Sequence, residues 1–133
     1  MHPAADQTHL VFVYGTLKRG GSNHAFLVGQ TYLGAAALRP GYSLYSLGDY
    51  PGLVVEAENT ENVTGELWAV NAATLANLDA LECINEGLYA RVPAPLARWS
   101  PDLDNKTASA AEMYLYLHSV TGRRNLGTTW LIA

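Results

Sequence analysis

Apolar and polar positions along the chain fall into short runs rather than long helical stripes. Six segments rich in β-branched and aromatic residues sit between Gly, Pro and Asn punctuation. They are predicted as strands over Leu10 to Tyr14, Tyr42 to Leu47, Gly52 to Glu56, Val63 to Val70, Tyr89 to Ala94 and Glu112 to Leu117. Two helices are predicted, one starting near Ser22 or Asn23 and one after Asn71, a suitable N-cap for "AATLANLDALE". About six strands with two main helices, and no regular strand–helix alternation, give an α+β class. Its sheet is expected to curl into a closed or nearly closed barrel. The polar stretch "SPDLDNKTASAA" is expected to be a loose surface loop. No repeat or linker interrupts the chain, so residues 1–133 are read as a single domain.

The first strand is nearly continuous in apolar residues, Leu10-Val11-Phe12-Val13, as a central strand covered on both faces requires. It runs into Tyr14-Gly15-Thr16-Leu17. Gly15 lets the backbone turn or approach another group closely, and a Gly-Thr-Leu turn leaves successive N–H groups without ladder partners. Such groups can converge on an anion. "GTLKRG" has glycines at both ends, yet Gly21-Ser22 stands where a phosphate loop needs Lys and Ser/Thr. On spacing alone an ordinary tight turn built on Gly15, Gly20 and Gly21 is the favoured reading.

The second predicted helix carries an anomaly. Leu75, Leu78 and Leu81 form its apolar stripe, and Glu82, four residues after Leu78 and seven after Leu75, falls on the same face. Either this carboxylate reaches water or pairs with an arginine such as Arg91, or it is a general acid or base whose pKa burial raises. The negative end of the helix dipole would push it the same way. Asp79 has turned partly off the stripe and Glu86 lies beyond the helix before Gly87, so both rank below Glu82. Glu66 shares a strand face with Trp68 and Val70 and ranks lower too.

Composition narrows the field. A net charge of −4 and an isoelectric point near 5.4 argue against a nucleic-acid partner held through phosphates. One cysteine, Cys83, excludes an internal disulfide and is read as a small buried residue. Nothing then requires an oxidising compartment, so the sequons at Asn62 and Asn105 are read as chance. "MHPAADQTHL" is not a signal peptide, and no apolar run has the length of a membrane span, so a cytoplasmic protein with no membrane partner is expected. His2, His9, His24 and His118 lack metal-ligand spacing, and Asp102-Leu103-Asp104-Asn105 lacks the glycine and closing glutamate of a calcium loop, so no metal and no cofactor are expected.

With the turn and the glutamate in hand, the sequence resembles the gamma-glutamylcyclotransferase-like family, in particular its short gamma-glutamylamine cyclotransferase branch. The matching residues are Val11 to Gly20 with Asn23-His24, Gly65-Glu66-Leu67, and Leu78-Asp79-Ala80-Leu81-Glu82 followed by Tyr89 and Arg91. The pattern extends from about Leu10 to Tyr114-Leu115-Tyr116. The resemblance implies a small mixed α/β barrel-like fold, a Tyr14-Gly15-Thr16-Leu17 pocket whose N–H groups receive a glutamyl α-carboxylate, and Glu82 as catalytic acid/base. Tyr89 and one of Tyr114 and Tyr116, with Tyr116 preferred, would line the pocket.

The activity implied is release of 5-oxoproline and an amine from a small gamma-glutamyl amine or amide. Hydrolysis to free glutamate and a binding module without turnover are the alternatives. The segments Gly34 to Tyr50 and Trp99 to Ala111 are expected to read the leaving amine. Trp130-Leu131-Ile132 is expected to cover the core. Oligomeric state is left open.

Overall fold

The computed structural model describes residues 9–132. All six predicted strands form, as β1 (His9–Val13), β3 (Tyr42–Ser46), β4 (Pro51–Val55), β5 (Thr64–Val70), β6 (Tyr89–Pro93) and β8 (Glu112–Tyr116). Three more were not anticipated: β2 (Thr31–Leu38), β7 (Leu96–Arg98) and β9 (Asn125–Gly127). They assemble into a six-stranded sheet in the order β6-β8-β1-β5-β2-β7 and a three-stranded sheet in the order β4-β3-β9. The large sheet is antiparallel except where β1 runs parallel to β8. It curls into a half-barrel rather than closing.

β1 is central, as its unbroken apolar run requires. Leu10 and Phe12 face a core shared with Leu38, Leu44, Leu53, Leu67 and Met113. Val11 and Val13, on the opposite face by the two-residue period, join Trp68, Val70, Leu75 and Leu78. Helix α1 (Ala72–Leu81) covers that second face. Asn71 caps it, its side chain accepting from the Thr74 N–H at 2.8 Å. Leu75 and Leu78 are buried as the stripe demands, each contributing about 1.5–3 kcal/mol of burial.

The other expected helix is a single 3-10 turn, His24–Leu27. Asn23 does not cap it, because its side-chain amide donates to Thr16 Oγ1 at 3.0 Å instead. The stretch expected as a loose loop holds the short helix α2 (Asn105–Ala108), capped by Asp104 through the Thr107 N–H. Much of Gly34 to Tyr50 is strand, belonging to β2 and β3. No helix among the described residues is long and apolar enough to cross a membrane.

Candidate functional site

The chain leaves β1 at Val13 and folds through two linked turns. Lys18 N–H donates to Gly15 O at 3.1 Å, Gly21 N–H to Lys18 O at 2.8 Å, and Asn23 N–H to Thr16 O at 2.9 Å. Gly21 has no alternative here, since a Cβ on it would lie 2.2 Å from Thr16 O. The side of the turn facing away from the cavity is tied down by Glu66. It accepts from Arg19 N–H and Nε at 3.1 and 3.2 Å and from Trp68 Nε1 at 3.1 Å. Glu66 is thereby a structural anchor. The bonds within the turn use Lys18, Gly21 and Asn23 as donors and leave the N–H groups of Gly15, Thr16 and Leu17 out of the network.

At the far end of α1, Glu82 is the C-cap and its N–H donates to Leu78 O at 2.9 Å. The chain then reverses sharply. Cys83 takes a left-handed φ of 54°, its N–H donates to Ala80 O, and Ile84 N–H donates to Asp79 O, the paired bonds of a Schellman ending. Glycine usually fills this position, so a cysteine holds it at a cost of about 1–3 kcal/mol. The reversal ends the helix just where Glu82 can leave the apolar stripe for the cavity.

A cavity of about 230 Å³ joins these elements. Tyr14, Gly15, Thr16, Leu17, Glu82 and Tyr89 all line it, as do Asn23, Tyr50, Pro51, Leu81, Cys83, Leu88 and Tyr114. Tyr116 is not among its lining residues. Both tyrosines lie on one face of β8, but Tyr114 reaches the cavity. Tyr116 packs its ring on Tyr89, centroids 5.3 Å apart, and against the backbone of Gly52. The cavity wall therefore takes Tyr114 where Tyr116 was expected. Residues Trp99 to Ala111 do not line it, and from Gly34 to Tyr50 only Tyr50 does.

Arg91 does not neutralise Glu82. It faces Asp79 at 3.5 Å and Glu112 at 3.6 Å. No hydrogen bond or ion pair reaches the Glu82 carboxylate among the described residues, and burial raises its pKa to about 7. The cause is desolvation of the charged form. Three tyrosines surround this carboxyl, and each hydroxyl is engaged elsewhere. Tyr14 donates to Tyr114 O at 2.6 Å, Tyr89 to Pro51 O at 2.9 Å and Tyr114 to Asp79 Oδ1 at 2.7 Å. Burial raises all three phenol pKa values, with the Glu82 charge adding to each.

None of the described histidines lines the cavity. His24 Nδ1 lies 2.9 Å from Leu17 O and His118 Nε2 lies 2.9 Å from Gly87 O, while His2 falls outside the described residues.

A sequence model of the family described as gamma-glutamyl cyclotransferase, AIG2-like, matches residues 11–131, nearly the whole described chain. The chain belongs to this family. The gamma-glutamyl cyclotransferase match takes in both the turn and Glu82. Its relatives include a putative gamma-glutamylcyclotransferase of Vibrio cholerae, 53% identical over 74 residues, or 56% of this chain. Another is a putative gamma-glutamylcyclotransferase of Arabidopsis thaliana, 42% identical over 104 residues, or 73% of this chain. The matches span 62% and 54% of the lengths of those two proteins. The solution structure of YtfP from Escherichia coli superposes with a TM-score of 0.65 at 34% identity, covering 92% of this chain and 96% of that one.

Sequence reasoning missed Pro51, the first residue of β4, and included Tyr50 beside it only as the end of the segment Gly34 to Tyr50. Nothing local in "GDYPG" announces either as a cavity residue, because their place depends on how the two sheets pack.

Proposed function

We propose that the protein is a gamma-glutamyl cyclotransferase acting on gamma-glutamyl amines or amides, with Glu82 as its acid/base. The observation that carries this reading is a half-buried carboxyl with a pKa near 7, unpaired among the described residues, sharing one cavity with a turn in which the N–H groups of Gly15, Thr16 and Leu17 make no backbone hydrogen bond among those residues.

The N–H groups of Gly15, Thr16 and Leu17 receive the substrate's α-carboxylate. Pinned there, the substrate folds so that its own α-amino nitrogen meets its γ-carbonyl carbon, and holding the two in contact lowers the barrier. The nitrogen must first lose a proton. A glutamate at its ordinary pKa would lift that proton from an α-ammonium near 7.8 against roughly 3.5 units, about 5 kcal/mol. With Glu82 near 7 the gap shrinks to about 1 unit, on the order of 1 kcal/mol.

The new C–N bond closes a five-membered ring, and Glu82 passes its proton to the departing nitrogen as the old C–N bond breaks; the second proton that the ring nitrogen sheds also goes to the amine, which leaves as its ammonium. The products are 5-oxoproline and a free amine, and no water is consumed. The test is mass spectrometry of products from gamma-glutamyl-ε-lysine and a panel of other gamma-glutamyl amines, with wild type and Glu82→Gln side by side. Wild-type 5-oxoproline that vanishes in the variant is the expected result. Free glutamate in its place would mean that water is the nucleophile, and binding without consumption would reduce the protein to a recognition module.

A further inference from the structure

The hydrogen bonds around Glu82 have a common polarity. Tyr14, Tyr89 and Tyr114 all line the cavity together with Glu82, and among the described residues none donates its hydroxyl proton to that carboxylate. Their protons go to Tyr114 O, Pro51 O and Asp79 Oδ1, at 2.6, 2.9 and 2.7 Å. The thiol of Cys83, on the same wall, is directed at Leu81 O, 3.8 Å away. A phenol whose one proton is committed can only accept from anything else it meets.

The arrangement is held from behind. Asp79, which receives the Tyr114 proton, is itself faced by Arg91 at 3.5 Å, and Arg91 lies directly opposite Tyr114 across the β6–β8 pair. A charged Asp79 has no proton to offer Tyr114, so the direction of that bond is fixed. Tyr89 is fixed equally firmly, because the carbonyl of Pro51 can only accept.

The two halves of the cavity therefore differ in kind. The turn supplies main-chain N–H donors, and the Asn23 amide donates to Thr16 Oγ1, leaving the Thr16 hydroxyl proton free on that same side. Around Glu82 the groups are acceptors, apart from the half-exposed Tyr50, whose hydroxyl makes no hydrogen bond among the described residues. A wall this rich in acceptors is costly to leave dry and suits a ligand group that brings only donors.

We infer that Tyr89 and Tyr114, with their hydroxyl protons tied outward, accept hydrogen bonds from the substrate's α-ammonium together with Glu82, and so orient the attacking nitrogen. Tyr14 supports them by fixing the Tyr114 main chain. Asp79 and Arg91 are positioning residues, acting through Tyr114. This assignment rests on the cyclotransferase reading for the identity of the ligand, but it concerns binding and can be tested without turnover.

The test compares two ligands in the Glu82→Gln background, where neither is expected to be consumed: gamma-glutamyl methylamide and glutaric acid monomethylamide, which lacks only the α-amino group. Calorimetry gives the affinity ratio of the pair. Adding Tyr114→Phe or Tyr89→Phe should lower that ratio about tenfold, the worth of one hydrogen bond to a charged group. Melting curves establish that the variants are folded. A ratio unchanged while both ligands weaken equally would make the tyrosines a mere wall and overturn the assignment, as would a parent protein that does not prefer the amino compound. If the ratio falls as expected while wild type releases no 5-oxoproline, the ammonium site stands and the catalytic reading is what fails.

Discussion

Gly15 and Pro51 are packed so closely that a Cβ on Gly15 would lie 2.7 Å from Cγ and 2.8 Å from Cδ of the proline ring. This contact joins the turn after β1 to the first residue of β4, so it couples the two sheets at the cavity. Pro51 also accepts the Tyr89 hydroxyl. The turn, the proline and the tyrosine form one continuous wall.

Gly15→Ala should therefore damage the site more than the fold. Both atoms it would meet belong to a closed ring that cannot rotate away, so either the turn or β4 must shift. Overpacking of this kind costs about 1–3 kcal/mol, which a thermal melt would register. The larger effect expected is on substrate: a KM raised tenfold or more, because the N–H groups of Gly15 to Leu17 no longer converge. A variant with wild-type KM would show that the turn does not read the carboxylate.

Glu82→Gln should stabilise the protein at neutral pH. The folded-state pKa of Glu82 is raised from 4.5 to about 7, so folding favours its protonated form. Below pH 4 the carboxyl is neutral in both states and there is no penalty. Between pH 4.5 and 7 the unfolded chain has released the proton while the folded chain keeps it, so wild-type stability falls across that window. The full penalty is on the order of 3 kcal/mol and is present above pH 7. Denaturant unfolding should find the variant more stable at pH 8 and equal to wild type at pH 3.5. An equal gain at both values would point to a cause other than titration.

The proposed reaction also fixes the shape of its pH profile. It needs Glu82 ionised and, in the same ionic balance, one proton on the α-amino group. kcat/KM should rise through about pH 7 as Glu82 loses its proton. It should fall again through roughly pH 7.8 as the free substrate's ammonium does. The result is a narrow bell. A profile already flat from pH 5 would remove Glu82 as the base.

Asp79 and Arg91 should not be energetically equivalent, although they form one ion pair. Asp79 accepts the Tyr114 hydroxyl, so Asp79→Ala strands a half-buried donor and leaves the buried Arg91 Nη1 without its facing carboxylate. That should cost about 2 kcal/mol. Arg91→Met keeps the alkyl packing and leaves Asp79 still bonded to Tyr114, so about 1 kcal/mol or less is expected. Chemical denaturation of the two variants checks the order, and the reverse order would mean that the Tyr114 bond is not what Asp79 is for.

The parts of this architecture that were legible in the sequence are those with strong local signals. β1 and β5 announced themselves by apolar density, and α1 by Asn71 followed by the leucine stripe. β2 did not, because "TYLGAAAL" carries an interior glycine and three alanines, poor strand formers that persist only because β5 and β7 pair on either side. β7 and β9 are three residues each, too short for any period to show. The helix expected near Asn23 failed because the cap residue's side chain turned back to Thr16. In the site, Glu82 was legible because helical spacing placed a carboxylate on an apolar face. The choice between Tyr114 and Tyr116 was not, since the two-residue period puts both on one side of β8 and the packing of Gly52 decides between them.

Lys18 links the turn after β1 to the end of the described chain. Its Nζ donates to Trp130 O at 2.7 Å, while burial lowers its pKa despite the nearby Glu66 charge. Thr64 holds the same segment through its N–H to Thr128 O at 3.0 Å, and a Cβ on Gly20 would lie 3.1 Å from Ile132. The segment from Thr128 to Ile132 thus braces the turn from outside. Lys18→Met keeps the methylene packing and removes the bond, with a stability loss of about 1 kcal/mol. Hydrogen exchange should quicken at residues 128–132 and in the turn itself, where the Lys18 N–H to Gly15 O bond closes the first loop. Faster exchange in the tail alone would show that the brace carries no strain into the turn, and KM should then be unchanged. Faster exchange in both, with a raised KM, is the outcome that this geometry requires.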